Sequence, residues 1–448
     1  MSNTKKIQPG KMLLLGFQHV FAMFGATVLV PTLTGLSVSA TLLFAGLGTL
    51  LFHLLTKRKV PAFLGSSFAF LGGYFAVSDL VKDYNATLAE GAAAVNWIPY
   101  AGVGVACAGL LYVILSALFK AFGPSKVMRF FPPIVTGPII ICIGITLANS
   151  AINNCAANWP IALLALAIVV VCNIWGKGMI KIIPILLGVV GSYLVAAVCG
   201  LVDFTPVKDA AWVGLPFQLK DTVFSFATAG VNGGLLASAI AMMMPIALAT
   251  IIEHIGDMRA ISSTVEKNFI ADPGLHRSLL GDGLATAMAA LFGAPANTTY
   301  GENTGVLALT KVYDPKVVRL AAVIAVLFSF CPKFAALVSC MPVATIGGVS
   351  LILYGMISAV GVRNVVENQV DFTKSRNVII AALIMALSLG INFSKAGAIA
   401  FSVFGIQISL SGLAVAALVG IILNAVLPGN DYEFGKNDQG DKSVNFKV

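Results

Sequence analysis

Residues 296–310 read ANTTYGENTGVLALT. Small polar residues, a tyrosine, a glycine and an acid interrupt a chain that is apolar on both sides, LATAMAALFGA before (284–294) and VLALT after (306–310). A glutamate there is either a conflict of burial or a functional group. A second interruption of the same kind lies at 60–77, VPAFLGSSFAFLGGYFAV, broken at Gly65-Ser66-Ser67 and Gly72-Gly73. These two breaks decide the fold.

Around them the chain is greasy. Its 448 residues are 58% hydrophobic and 10% charged, with a mean hydropathy of +0.93, whereas soluble domains carry about 25% charged residues. A helix needs roughly 20 apolar residues to cross a bilayer, and runs such as LLFAGLGTLLFHLL (42–55), IALLALAIVVVCNIW (161–175) and LAVAALVGIILNAVL (413–427) recur throughout. Only helices and closed barrels satisfy their backbone in lipid, so the expectation is an all-α polytopic membrane protein. Fourteen spans are read, at about 13–34, 40–56, 61–80, 98–120, 131–150, 158–176, 181–201, 232–256, 275–293, 297–311, 316–332, 342–361, 377–391 and 409–427. The polar, basic start has no cleavable leader pattern.

The net charge of +9 would fit a polyanion partner until the charges are placed. With the N-terminus in the cytoplasm, only Lys82, Lys208, Lys220, Lys333 and Lys395 of the 28 Lys and Arg fall outside. That is the positive-inside bias. The basic excess records topology, with both termini cytoplasmic, and implies no nucleic acid. The seven scattered cysteines include no CxxC pair and read as small buried hydrophobes, so no metal site is expected.

The third and tenth spans carry the two breaks and stand seven apart in a set of fourteen. Interrupted segments at matching positions of two halves point to a midplane site in seven-plus-seven inverted repeats. Broken backbone at that depth must be buried in protein or line a cavity.

Acids inside spans are expensive, roughly 2.5–3.5 kcal/mol at the centre on insertion scales. Glu253, Asp257, Asp282 and Glu302 are therefore the candidates. Glu253 and Asp257 are four apart in TIIEHIGDMRA and share a helix face; Asp257, followed by Arg259, also reads as an interfacial acid. Glu302 follows Gly301 where a helix resumes, stabilised by free N–H groups, or is simply a capping acid. Asp282 reads equally as a structural hydrogen-bonder. Gln18 and His19 brace the site from behind, and Tyr300 and Tyr354 offer flat aromatic walls.

At these residues the chain resembles the nucleobase–ascorbate transporter family, the nucleobase:cation symporters that include the xanthine and uracil permeases. ENTGVLALTK (302–311) matches the family signature, QH (18–19), PAFLGSSFAF (61–70) and EHIGD (253–257) match further motifs, and the resemblance covers nearly the whole chain. FQHVFAMFGATVLVP, ADPGLHRS, NTTYGEN and GGVSLILYG place it nearest the bacterial uracil permeases. The resemblance implies a core domain (1–130 and 226–340), a gate domain (131–225 and 341–430) and a cytoplasmic tail (431–448). It implies short strands in the broken spans and a homodimer through the gate. Glu253 and Glu302 would accept the pyrimidine N–H groups, and the Phe68 and Gly301 amides would meet its carbonyls. Tyr300 and Tyr354 would line the pocket, with Gln18, His19, Asp282 and Asn303 behind. This agrees with the chemistry: carboxylates only accept and backbone N–H groups only donate, while uracil presents both.

The expected activity is proton-coupled uracil import by alternating access across the cytoplasmic membrane. Glu302, Glu253 or Asp257 would carry the proton, the only co-transported species. Acids at Asp257 and Asp282, where a well-known uracil permease type has His and Asn, keep xanthine or another oxopurine as the alternative. A sulfate-type anion transporter fits worse, because Glu253 and Glu302 would repel its substrate. No intramembrane nucleophile with its base, or HExxH cluster, supports an enzyme.

Overall fold

The computed structural model describes residues 8–89, 93–403 and 406–430, and of Pro124, Ser125, Met179, Ile182, Glu302, Leu309, Ile406, Gln407 and Ser409 the backbone alone. The first group of elements is α1 (Pro9–Thr34), α2 (Val38–Leu55), β1 (Leu64–Ser66), α3 (Leu71–Ala86) and α4 (Trp97–Phe122). Then come α5 (Pro124–Met128), α6 (Pro133–Ala156), α7 (Trp159–Ile174), α8 (Met179–Ile182), α9 (Pro184–Val198), α10 (Thr205–Asp209) and α11 (Phe226–Ala229). The second half holds α12 (Gly233–Met243), α13 (Ile246–Val265), α14 (Leu275–Leu291), β2 (Asn297–Thr299), α15 (Gly301–Thr310), α16 (Pro315–Ser329) and α17 (Pro332–Ser339). It closes with α18 (Val343–Glu367), α19 (Ser375–Asn392), the strands β3 (Ala398–Val403) and β4 (Ile406–Ser411), and α20 (Gly412–Val426).

The starts of these helices are written locally. Proline occupies the first turn of α1, α6, α9 and α16, where its missing N–H costs nothing. Ser37, Asn96, Asn158, Asn232 and Asp314 cap α2, α4, α7, α12 and α16 through side-chain oxygens.

Among the described residues, 7 helical spans are long and apolar enough to cross a membrane, 8 if α16 and α17, bent by 89°, count as one. The apolar helices α7, α9 and α20 are shorter. The expected eighth span is interrupted at Met244-Pro245, where a proline cannot donate its backbone bond, within one span from Gly233 to Val265; because α13 runs on to Val265 and not only to 256, Asp257 sits inside it and not at a helix end. The expected start of the last span at 409 is also corrected: strand continues through Ser411 and helix begins at Gly412. The β3–β4 hairpin was not foreseen.

Packing recurs in matched pairs. α2 lies on α16 as α4 lies on α14, α7 packs with α9 as α19 packs with α20, and β1 pairs with β2. At the crossings, small residues let backbones touch. A Cβ on Gly109 would stand 2.6 Å from the Gly283 carbonyl, and one on Gly283 would stand 2.7 Å from that of Gly109. Gly137 and Gly361 repeat the arrangement between α6 and α18.

Candidate functional site

The two sequence breaks meet as a two-stranded antiparallel ladder, Leu64 opposite Thr299, Gly65 opposite Thr298 and Ser66 opposite Asn297. It is extended at both ends, the Ser67 amide donating to the Ala296 carbonyl (2.8 Å) and the Tyr300 amide to that of Phe63 (3.0 Å). All six strand residues are buried, so every polar group needs a partner. Surrounding helices supply most of them, while Thr298 Oγ1 has none among the described residues. The Leu64 amide donates to Thr49 Oγ1 (2.9 Å), Thr286 Oγ1 donates to the Asn297 carbonyl (2.9 Å), and Asn297 Nδ2 donates to that of Phe44 (3.0 Å). Beyond the strand, the Ala296 amide donates to Tyr74 Oη (2.8 Å).

Because the strands are antiparallel, the chain leaves β1 and β2 in opposite directions. A 3-10 turn (Phe68–Phe70) leads into α3, and α15 starts at Gly301. Both amino ends therefore lie at the ladder, and neither Ser67 nor Tyr300 caps its helix by a side chain. Amides with no intrahelical partner gather there with positive partial charge. That environment suits a carbonyl or carboxylate ligand.

The aromatic residues expected at the site are brought together. Phe68, Tyr300 and Tyr354 share one buried apolar cluster, and the Phe68 ring stands edge-on to Tyr354 at 5.6 Å between centroids. Tyr300 Oη donates to the Ser66 carbonyl at 2.9 Å, fixing its ring across Gly65. A Cβ on Gly65 would lie 2.4 Å from that ring, so only glycine fits.

Helix α13 packs against both α15 and the 3-10 turn. Glu253 and Asp257 are half-buried on it, and Asp257 Oδ2 accepts from Thr299 Oγ1 at 2.7 Å. The carboxylate of Glu302 lies outside the described residues; its backbone is in the first turn of α15. Behind α15, Asn303 Nδ2 donates to His19 Nδ1 (3.0 Å) and to the His19 carbonyl (3.1 Å), joining α15 to α1 beside buried Gln18.

Asp282 does not reach the ladder. Fully buried on α14, its Oδ2 lies 2.9 Å from His254 Nδ1, and His254 Nε2 is 3.0 Å from Ser278 Oγ. Asp282 thus joins α14 to α13. Sequence reading gave His254 no special role and passed over Tyr74, Thr49 and Thr299. It also passed over a stripe on α6, Thr146, Asn149, Ser150 and Asn153, whose i, i+3, i+4, i+7 spacing was visible.

A helical chain with several apolar spans, two breaks paired in its interior and two helix amino ends near half-buried acids of α13 defines a multi-pass membrane transport protein. The chain belongs to the xanthine/uracil permease group: the permease family model Xan_ur_permease matches residues 10–397. It is 42% identical to the uracil permease of Bacillus caldolyticus over 430 residues, 94% of this chain and 93% of that one. Against the uracil permease of Bacillus subtilis strain 168 it is 40% identical, covering 96% and 94%, and against that of Escherichia coli K12 36%, covering 92% and 90%. As a member of a permease family it is a transport protein, not an enzyme. Among solved structures, the transmembrane domain of the cyanobacterial bicarbonate transporter BicA shares the fold, with a TM-score of 0.60 at 15% identity over 92% of this chain and 96% of that one. The murine anion transporter Slc26a9 does so with a TM-score of 0.63 at 11% identity, covering 94% and 69%.

Proposed function

We propose that this chain is a proton-coupled uracil symporter of the cytoplasmic membrane, working by alternating access. The observation that carries the reading is its 36–42% identity, over more than nine-tenths of its length, to proteins named uracil permeases. The site supports it chemically. Backbone amides of Phe68 and Gly301 would donate to the two uracil carbonyls, and Glu253 and Glu302 would accept its N–H groups. Tyr300 and Tyr354 would close the faces of the ring. Asp257, held by Thr299, joins Glu253 and Glu302 as a candidate proton carrier. Gln18, His19, Asn303 and Asp282 would hold these groups in place.

The matched packing of α2 on α16 and α4 on α14 supports fourteen segments in two inverted sets of seven, with the shorter apolar helices and the strand-broken segments completing the count. The core would comprise 1–130 and 226–340, and the gate 131–225 and 341–430, with a cytoplasmic tail from 431. Both termini would be cytoplasmic, and a homodimer would form through the gate. The oxopurine alternative rests on Asp257 and Asp282. Asp282 is engaged with His254, away from the ladder, which weakens that alternative.

The test is uptake of labelled uracil into proteoliposomes, with and without an inward proton gradient, against excess unlabelled uracil or xanthine. Gradient-driven uptake blocked by uracil and not by xanthine supports the reading. Xanthine uptake without uracil uptake sinks it.

A further inference from the structure

A half-open cavity of about 260 Å3 lies between α3 and α6, with the end of α19 and the start of α20 on a third side; Asn149, Asn153 and Phe75 are exposed along it. One wall is flat and apolar: Phe68, Ala69, Gly72, Gly73 and Phe75. The facing wall is α6, where Thr146, Asn149, Ser150, Asn153 and Asn154 alternate with apolar Ile143 and Leu147, and Asn392 and Ser411 add two polar groups. Asn154 Nδ2 is buried without a hydrogen-bond partner among the described residues. Among the described residues, no charged side chain lines the space.

Three carboxamides in the last two turns of an apolar helix are costly in lipid unless they meet a partner or a cavity. Here they face an aromatic wall across a space smaller than the roughly 300–1,000 Å3 of sites for drug-sized ligands. Aromatic faces stack flat rings, and carboxamides both donate and accept. The set reads an uncharged planar heterocycle with alternating N–H and C=O groups, and gives an anion no countercharge. The Phe68 side chain, only 7% exposed, both lines the cavity and stands against the Tyr354 ring of the ladder site.

We infer that this cavity is a second, outer station for the transported base, where Asn149 and Asn153 read its polar edge and Phe75 its face, while Phe68 separates it from the ladder site. The inference rests on the functional reading above and adds a site and two specificity-determining residues to it. The station filters substrates by charge before they reach the acids of α13.

Equilibrium dialysis of the purified full chain with labelled uracil, beside proteoliposome uptake, tests it. The wild type should bind two equivalents, one weaker. The Asn149→Leu/Asn153→Leu variant should lose the weaker equivalent and keep the tight one within about two-fold; uptake at low uracil should fall about ten-fold, the effect of losing one or two neutral hydrogen bonds. If the double variant does not fold, Phe75→Ala should show the same loss. A wild type that transports uracil but binds one equivalent overturns the outer station alone, as does a variant that still binds two. A wild type that neither binds nor transports uracil overturns the functional reading, and this one falls with it.

Discussion

Thr299 Oγ1 donates to Asp257 Oδ2 across 2.7 Å, joining the last residue of β2 to the middle of α13. The bond fixes one carboxylate oxygen beside the first turn of α15. A hydrogen bond to a charged group contributes about 1.5–3 kcal/mol. Thr299→Val keeps the shape and deletes the donor, so kcat/KM for uracil uptake should fall roughly 10- to 100-fold, while Thr299→Ser should stay near wild type. Equal uptake by the Val and Ser variants would show that the bond does not position the acid.

Gly65→Ala should be worse than its size implies. The added methyl would meet the Tyr300 ring at 2.4 Å and Thr27 Oγ1 at 2.7 Å. Tyr300 is held through its own bond to Ser66 and has nowhere to go. Overpacking of this kind costs about 1–3 kcal/mol, read as a lower melting temperature in detergent together with lost uptake. A variant that melts and transports like wild type would mean the ladder yields more easily than its buried hydrogen bonds imply.

The Asp282–His254 contact is a fully buried pair between α14 and α13. Removing one member of such a pair leaves a buried polar group without its partner and costs about 1–3 kcal/mol. Asp282→Ala should therefore destabilise strongly, whereas Asp282→Asn retains an acceptor for His254 Nδ1 and should melt closer to wild type. A double-mutant cycle with His254→Gln measures the coupling; additive effects would dismiss the pair as a structural tie.

Glu302→Gln removes a titrating group and keeps its shape. If Glu302 carries the proton, the variant loses gradient-driven accumulation but retains exchange of labelled for unlabelled uracil at equal pH. Accumulation that still follows the gradient would assign the proton to Glu253 or Asp257.

Much of this was legible in the residues. Gly-Ser-Ser and Asn-Thr-Thr inside apolar runs have too many polar groups and too little helix propensity to span lipid as helix, so both breaks announced themselves, and the ladder lies at them. Two features were readable but passed over: Pro245, which interrupts a span's helix, and the polar stripe on α6, whose spacing alone marks one face. The β3–β4 hairpin is marked by alternation, Ile399, Phe401 and Val403 answering Ile406, Ile408 and Leu410, but such short apolar runs do not separate strand from helix. Partner identity was not legible at all. Nothing in the spacing says that Asp257 meets Thr299 or that Asp282 meets His254, because those contacts depend on how helices far apart in sequence are brought side by side.

The ladder also has a bearing on how the chain is made. Residues 64–66 pair only with residues 297–299, more than two hundred positions later, about ten to fifty seconds of synthesis at 5–20 residues per second. Throughout that interval the first strand's amides and carbonyls have no ladder partner, and in hydrocarbon each costs several kcal/mol. Of the partners the ladder strand has in the finished protein, Thr49, which accepts from the Leu64 amide, is already made in that interval. Chains truncated before Asn297, which cannot form the ladder, should be cleared by membrane proteases faster than the full chain.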